Sequence, residues 1–399
     1  MTTRKPVPVP VPLSVLDLVP IAAGETGADA VHHSIDLARQ AERLGYHRYW
    51  FAEHHLNPGV AGTDPAIMIS LVAGATTAIR VGSGGVQLGH RTPLSVVEEF
   101  GILDAVFPGR LDLGLGRTLG TPRRRPAEVA CEEPAEPAAE RPKRPKPPDR
   151  PKPPDQIVGG VLVPSPPSLR YLRHSPLIGV ARELLQQPDA ITPGYTEQIG
   201  DILALLRGEY RSAEGIGARV HPGQGAAVQI WILGSSGGES AEVAGHHALR
   251  FAGNYHVSPA TILEAVEGYR AAFRPGAELS RPHVCVSVDV VVGEDEKQAQ
   301  ELAAGYGLWV LGIRSGVGAH PYPRLEDARA HAWTEDEHSL VSDRVRTQVV
   351  GSPAQVVEQL DRIVEVTGAD ELAVTTMTHD HVNRVRSYEL LAKQWDRWP

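Results

Sequence analysis

Short apolar strands alternate with helical segments along the chain, and this alternation constrains the fold more than any other feature. Strands that alternate with helices form right-handed βαβ units and a parallel sheet. Roughly eight such units predict a (β/α)8 TIM barrel, which takes about 250 residues and leaves room for an insertion in a chain of 399 residues. The apolar runs that we interpret as strands lie at residues 13–18, 49–52, 79–86, 110–115, 228–233, 249–252, 283–292 and 371–375.

The predicted helices begin at local capping signals. Thr26 is followed three residues later by Asp29, which is the spacing of a capping box. Residues 195–206 carry the apolar spacing of an amphipathic helix. Other helix starts pair a good capping residue with proline at the first helical position, and these pairs are Asp64 with Pro65, Thr92 with Pro93, Ser258 with Pro259 and Ser352 with Pro353.

A segment rich in proline and charge interrupts the pattern after the fourth strand. About one third of residues 123–154 are proline, and charged residues fill most of the remainder. Such a composition buries too little apolar surface to offset the entropy lost on ordering. We therefore predict one barrel domain over residues 1–399 with an insertion at 119–193, of which 123–154 lacks fixed structure. We expect residues 157–185, which are more apolar, to contact the active-site pocket.

Three polar residues stand where the second predicted strand ends. They are Glu53, His54 and His55, and TIM barrels build their active sites at the carboxyl ends of the strands. A histidine in that position can transfer a proton near neutral pH. Consecutive strand residues point to opposite sides, so both histidines face one ligand only if the strand has already ended. The alternative is a structural histidine that bonds to a neighbouring loop.

Glycines cluster in the third predicted strand. Glycine weakens a strand interior and often marks the close approach of a ligand or of another backbone. Gly84 and Gly85, with Gly82 nearby, therefore suggest a flat ring that lies against the main chain. Tight packing against a bulky neighbour is the alternative.

Two strand ends favour an anion. Arg117 ends the fourth strand and can grip a phosphate, with a surface salt bridge as the alternative. The strand at 228–233 runs into a turn before a predicted helix, where free N–H groups and the helix dipole favour a phosphate, and this turn comprises Gly234, Ser235, Ser236 and Gly237. An ordinary capped turn is the alternative there. The glycines around Arg117 lack the spacing of a dinucleotide fingerprint, so a Rossmann fold is not predicted.

Two further groups carry weaker signals. Tyr255 and His256 follow the sixth strand and are candidate substrate contacts. His379 and His381 have the H-x-H spacing found in barrel hydrolases. Those enzymes place the pair on an early strand and add further His and Asp ligands, so we predict no metal site.

Composition narrows the possible partners. The formal net charge of −9 argues against a broad nucleic-acid surface. Cys131 and Cys285 are too few for a disulfide framework or a zinc site, and free thiols fit a reducing compartment. The first residues alternate proline with valine, unlike a signal peptide, and no apolar run reaches the roughly 18 residues that span a bilayer. We therefore expect a cytoplasmic protein.

In residues and order, several motifs resemble the bacterial luciferase-like family of flavin-dependent monooxygenases. The motifs are the EHH triplet, the strand GSGGV, the strand PGRLDLGLGR and the turn LGSS, and the resemblance covers residues 13–117 and 195–391. It implies a TIM barrel that uses reduced FMN (FMNH2) from a separate NAD(P)H:flavin reductase to oxygenate a small organic substrate through a C4a-peroxyflavin. The implied partners are that substrate, O2, the reductase and a second copy of the chain in a homodimer, with no nucleic acid and no membrane.

The resemblance also implies roles near the flavin ring. His54 is similar to the family's catalytic histidine, and Glu53 and His55 stand beside it. Gly84 and Gly85 match a site where relatives hold a non-prolyl cis peptide beneath the flavin.

For the FMN phosphate, the resemblance implies three contacts: Arg117, Ser235 and Ser236 match phosphate-binding positions of the family. Gly116 stands where luciferase itself carries a reactive cysteine, so a non-luminescent member is expected. Two alternatives stay open. Some relatives use the deazaflavin F420 for hydride transfer, so the chain could be an F420-dependent oxidoreductase, and a flavin-binding protein without turnover is the other alternative.

Overall fold

The computed structural model describes residues 10–117, 153–167 and 175–396. The tract predicted to lack fixed structure, 123–154, therefore lies outside the described residues except for its last two. The described parts hold the elements from which a barrel can be built.

Strands and helices alternate as the sequence predicts. The strands are β1 (Leu13–Asp17), β2 (Arg48–Phe51), β3 (Arg80–Ser83), β4 (Val86–Gln87), β5 (Leu111–Gly116), β6 (Gln156–Val158), β7 (Val161–Val163), β8 (Gln229–Gly234), β9 (Arg250–Asn254), β10 (Val284–Val292), β11 (Val349–Gly351) and β12 (Glu371–Thr375). Parallel pairing closes a ring in the order β1, β2, β3, β5, β8, β9, β10, β12 and back to β1. This closure confirms the TIM barrel.

Helices connect the strands of the ring. They are α1 (Gly27–Arg43), α2 (Pro65–Ala75), α3 (Pro93–Val106), α4 (Pro176–Leu185), α5 (Tyr195–Arg207), α6 (Glu239–His246), α7 (Ile262–Ala272), α8 (Glu296–Ala303), α9 (Tyr306–Arg314), α10 (Leu325–Ala330), α11 (Glu335–Thr347), α12 (Pro353–Thr367) and α13 (His381–Trp395). Their apolar faces and the strands bury one large core against each other.

The capping signals at Thr26, Asp64 and Thr92 operate as predicted, whereas Ser258 forms no side-chain cap. The Thr26 hydroxyl accepts a hydrogen bond from the Asp29 N–H at 3.3 Å within a capping box. Asp64 and Thr92 accept N–H groups of the first turns of α2 and α3. At Ser258 the chain first forms a 3-10 turn, and α7 begins only after it. Short-range signals therefore located these helix starts to within a few residues.

The third strand is not continuous, which corrects the single strand predicted at 79–86. β3 ends at Ser83, and pairing to β5 resumes at Val86. Gly84 and Gly85 lie between the two segments, and the peptide bond that joins them is cis. The interruption places these two glycines at the carboxyl end of the strand instead of in its interior.

The described part of the insertion holds a β-hairpin and a helix. β6 and β7 form an antiparallel hairpin whose turn residues Gly159 and Gly160 have left-handed φ values of 54° and 84°, which suits glycine. The Tyr255 hydroxyl donates a hydrogen bond to the Leu162 carbonyl at 2.8 Å and so holds the hairpin beside the end of β9. The helix, α4, follows residues 168–174, which lie outside the described residues.

A buried ion network, which we call the amino-end network, fills the amino end of the barrel. The Arg48 guanidinium contacts Asp112 at 2.9 Å and Glu371 at 2.8 Å, and Arg80 contacts Asp112 at 2.7 Å. All of these groups stand at or near the first residues of their strands. Burying charges is tolerated here because each has an opposite partner with good geometry.

Across the described residues, no helix is both long enough and apolar enough to cross a membrane.

Candidate active site

A cavity of about 700 Å³ opens at the carboxyl ends of the strands. Its walls come from residues at or just after the ends of β2, β3, β4, β5, β8 and β9, and from α4, α5 and α6. The volume lies within the range of small-molecule and cofactor sites, about 300–1,000 Å³. Of the predicted site residues, the cavity brings together Glu53, His54, His55, Gly84, Gly85, Arg117, Gly234 and Ser235.

The Glu53 carboxylate is the centre of a buried hydrogen-bonding group. His55 Nε2 and His90 Nε2 each lie 2.9 Å from Glu53 Oε1, and the Gln87 N–H donates to Oε2 at 2.9 Å. Burial alone would raise the pKa of Glu53, but the hydrogen bonds from His55, His90 and Gln87 lower it to about 2. An ionised carboxylate only accepts hydrogen bonds, so both Nε2 atoms carry a proton. Glu53 therefore fixes the orientation and tautomer of two imidazoles that line the cavity.

His54 is held differently from its two neighbours. Its backbone N–H donates to the Gly62 carbonyl at 2.8 Å, and its Nδ1 atom is buried without a hydrogen-bond partner among the described residues. Burial lowers the pKa of His54 to about 4, against the opposing charge of Glu53. The ring is therefore neutral at pH 7, and a neutral ring can accept a proton. Several buried polar atoms of the described residues lack a partner, but this one belongs to a side chain that lines the cavity, where a ligand could supply the partner.

The glycines of the third strand serve two purposes. A Cβ on Gly82 would lie 2.4 Å from the Asp112 carbonyl oxygen, and one on Gly114 would lie 2.0 Å from the Ser83 oxygen. Close packing between strands therefore accounts for Gly82 and Gly114. Gly84 and Gly85 are also tightly packed on one side, but unlike Gly82 they line the cavity. Their backbone forms a surface without side chains on which a flat ring could rest.

Arg117 and Glu239 face each other at one end of the cavity. Arg117 Nη1 lies 3.3 Å from Glu239 Oε2, and the side chains are 44% and 43% exposed. The Thr196 hydroxyl donates to the other Glu239 oxygen at 3.2 Å. An exposed pair of this kind contributes little to stability, so an anionic ligand can compete with Glu239 for Arg117.

Two helix starts converge at the same end; the sequence predicted an anion site at the start of α6 but not at the start of α5. Gly194 precedes α5 and Gly238 precedes α6, and neither helix has a side-chain cap. The first turns of both helices line the cavity through Tyr195, Gln198, Glu239 and Ser240. Uncapped N–H groups and the helix dipoles favour an anion there. The absence of a capping residue before 195 was the available signal.

Four predicted site residues, among them Ser236, do not line the cavity. The Gly237 N–H donates to Glu264 at 3.2 Å, which holds Gly237 against α7. Tyr255 bonds to the hairpin, as described above. His256 Nδ1 pairs with the Ser287 hydroxyl at 2.6 Å, and burial lowers the pKa of His256 to about 3. At the end of β9, Asn254 lines the cavity in place of Tyr255 and His256.

Helix α4 covers part of the cavity. The lining residues of α4 are Ile178, Ala181, Arg182 and Leu185, which share one face of a helix because residues three and four apart are neighbours. The expectation that 157–185 contacts the pocket thus holds for α4. It was wrong for the hairpin, none of whose residues lines the cavity.

Two sets of histidines have spacings that metals could use. Glu53, His55 and His90 place one ligand atom each within 4.8 Å of the others. Arg91 Nε lies 3.4 Å from the same Glu53 oxygen, and this positive charge opposes a metal cation, so we interpret the group as a hydrogen-bonding cluster. His379 and His381 are engaged elsewhere: His381 Nε2 pairs with Asp36 at 2.8 Å, and His379 Nε2 lies 3.0 Å from the Ala23 carbonyl.

The sequence and the fold of the chain match those of known proteins. The Luciferase-like monooxygenase family matches residues 12–141 and 181–371. The chain is 34% identical over 385 residues to the uncharacterized protein YvbT of Bacillus subtilis (strain 168), covering 96% of each chain. The crystal structure of apo-MsnO8 has 31% identity and a TM-score of 0.72, covering 98% of this chain and 99% of that one. The chain therefore belongs to the luciferase-like monooxygenase family and is a flavin-dependent enzyme of that family.

The family match extends beyond the resemblance predicted from the sequence, since it includes residues 118–141 and 181–193. A shorter stretch of 108 residues is 47% identical to N-acetyl-S-alkylcysteine monooxygenase of Bacillus subtilis (strain 168), covering 27% of this chain and 32% of that protein. Two more distant structures share the fold: an FMN complex of the oxygenating constituent of 3,6-diketocamphane monooxygenase (17% identity, TM-score 0.58) and an F420-dependent secondary alcohol dehydrogenase (13%, 0.57).

Proposed function

We propose that the protein is a two-component monooxygenase that takes FMNH2 from a separate NAD(P)H:flavin reductase and oxygenates a small organic substrate with O2. One observation carries the proposal. A single cavity joins an end that favours an anion, at Arg117 and the starts of α5 and α6, to an end that holds a neutral histidine beside a glycine backbone. A flavin mononucleotide has a phosphate and a flat ring that match these two ends.

Each group of cavity residues has a separate proposed role. Arg117, Ser235, Ser240 and the first-turn N–H groups of α5 and α6 would bind the phosphate. Gly84 and Gly85 would support the ring, and α4 would exclude water from above. Bound reduced flavin would supply the electrons and the site of oxygen activation. His54 would accept or return the proton that the substrate exchanges during the reaction, while Glu53 holds His55 and His90 in place.

The cofactor test is a titration of the purified protein with reduced FMN and with reduced F420 in the absence of oxygen, followed by measurement of oxygen uptake. We expect reduced FMN to bind and to consume oxygen when a flavin reductase and NADH supply it. Sedimentation in the same samples tests the proposed homodimer. Tight binding of F420 with no oxygen uptake on FMNH2 would show that the monooxygenase assignment is wrong.

The second candidate is an F420-dependent oxidoreductase. It is favoured by the fold shared with the F420-dependent alcohol dehydrogenase, and the anion-favouring end of the cavity would serve that cofactor's phosphate equally well.

A further inference from the structure

We infer that the cavity selects substrates that combine a carboxylate with an apolar portion, and that Arg182 on α4 is the residue that recognises the carboxylate. The inference rests on the proposed function, because it takes the cavity as the place where the substrate binds. It concerns α4, an element that lies outside the residues resembling the family's cofactor site.

Helix α4 is fixed over the cavity at both ends. Before its first turn, the Ser175 hydroxyl donates to the Gly316 carbonyl at 2.5 Å. After its last turn, the Gln186 side-chain amide donates to the Gly89 carbonyl at 2.7 Å, and Thr192 donates to the same oxygen at 3.2 Å. Gly316 follows α9 and Gly89 follows β4, so two separate loops of the barrel position the helix. Its cavity face is therefore set by the fold.

That face combines one cation with three apolar side chains. Ile178, Ala181 and Leu185 are apolar, and Arg182 stands among them at helical spacing. Leu88 and Leu233 add apolar surface to the cavity wall. A ligand that is complementary to this surface has an apolar part that packs against the leucines and an anionic group that pairs with the guanidinium.

The charge pairing of the lining residues singles out Arg182. Glu53 has His55, His90 and Arg91 as partners, and Glu239 has Arg117. Within the part of the chain that the structure describes, Arg182 forms no ion pair. Arg182 thus lines the cavity with a positive charge that no carboxylate of the described residues pairs with, whereas Arg117, which follows β5, has Glu239 as its partner. A carboxylate on the substrate would supply the missing partner.

The chemistry of one relative provides suitable probes. An N-acetyl-S-alkylcysteine has one carboxylate and an apolar alkyl thioether. We would measure binding of three acids and their primary amides by calorimetry: N-acetyl-S-methylcysteine, N-acetyl-S-benzylcysteine and 3-phenylpropionate. The amides keep the shape of the acids and remove the charge. Calorimetry needs no turnover, and oxygen uptake on FMNH2 is measured separately, so failure of this inference is distinguishable from failure of the proposed function.

We expect at least one acid to bind wild-type protein about tenfold more tightly than its amide, because one charge-assisted contact separates them. Arg182→Ala should abolish this preference, and Arg182→Lys should retain part of it. The control Arg207→Ala removes an exposed arginine of α5 that does not line the cavity, and it should keep the full preference. FMN affinity should be the same in all four proteins.

Three outcomes would overturn the inference. The first is that no acid binds better than its amide, whether both bind equally or neither binds. The second is that Arg182→Ala keeps the preference for the acid. The third is that Arg182→Ala weakens FMN and not the acids, which would assign Arg182 to the cofactor phosphate. Raising the salt concentration should reduce the acid preference of the wild type, since the guanidinium is exposed to solvent.

Discussion

Both ends of the barrel bury charged groups, but the two ends differ in how completely their polar atoms are paired and in whether a cavity adjoins them. At the amino end, Arg48 sits between Asp112 and Glu371, and each of these charges has an opposite partner within 3 Å. At the carboxyl end, His54 and His90 each keep a buried Nδ1 atom without a partner in the described structure, next to an open cavity. Burial of charge alone therefore does not identify a functional site, and the carboxyl end is the candidate because its unpaired atoms belong to side chains that line a cavity.

Shifted pKa values do not separate the two ends either. Burial alone would raise the pKa of Glu371, but the nearby His283 imidazole, the charge of Arg48 and the hydrogen bond from the Ser14 hydroxyl lower it. The pKa of Glu53 at the opposite end is lowered as well. What differs is the presence of room for a ligand. The following experiments test whether the amino end is structural and the carboxyl end functional.

The largest effect is expected from His54→Ala. Loss of the proton acceptor should reduce turnover by roughly 10²–10⁴-fold and leave FMN affinity within a few-fold. Steady-state oxygen uptake and a flavin titration measure the two quantities. The control His256→Ala alters a histidine that does not line the cavity. A wild-type rate in His54→Ala would move the role to another group, with His55 as the first candidate.

The matching test at the amino end is Arg48→Met. It leaves two buried carboxylates without their shared partner, so the free energy of unfolding should fall by about 3–5 kcal/mol. Urea denaturation measures this change. The control is Arg281→Ala, which breaks a pair with Asp370 in which the arginine is 76% exposed, and it should cost about 0–1 kcal/mol. Equal decreases in the free energy of unfolding of the two variants would mean that the amino-end network stabilises the fold no more than an exposed ion pair does.

Two substitutions that each remove a charge near the proposed phosphate site should change FMN affinity in opposite directions. Arg117→Ala should weaken FMN binding by about 1.5–3 kcal/mol, the value of one charge-assisted contact. Glu239→Gln should strengthen FMN binding, because a carboxylate no longer competes with the phosphate for Arg117. Riboflavin, which has no phosphate, serves as the control ligand and should respond little to either change. Equal affinity of wild-type protein for FMN and riboflavin would rule this site out.

The smallest expected effect is that of acid on activity. Because burial lowers the pKa of His54 to about 4, the ring stays neutral and able to accept a proton as the pH falls from 7 to 5. We expect kcat/KM to change less than about twofold over that interval on this account. A decline centred near pH 6.5, the ordinary value for histidine, would show that the proton acceptor is a group other than buried His54.

Much of the architecture could be predicted because its signals act over short distances. Thr26 with Asp29, and Asp64 with the proline after it, cap their helices through contacts three residues apart. Apolar runs located the strands of the ring, and their alternation with helices implied parallel pairing. The break between Ser83 and Val86 escaped prediction because it appears only where β4 resumes pairing with the next strand.

The candidate site also combines features that the sequence predicted with features that only the tertiary structure shows. By itself, the sequence determined that polar and glycine residues such as His54, Gly85 and Arg117 follow the strands, and barrel topology places strand ends on one rim. Only the tertiary structure decided which side chains turn inward. His90 meets Glu53 across 37 residues of sequence, and Arg182 reaches the cavity through a helix fixed by distant loops. A side chain's direction in a turn depends on such long-range contacts, and no local pattern encodes them.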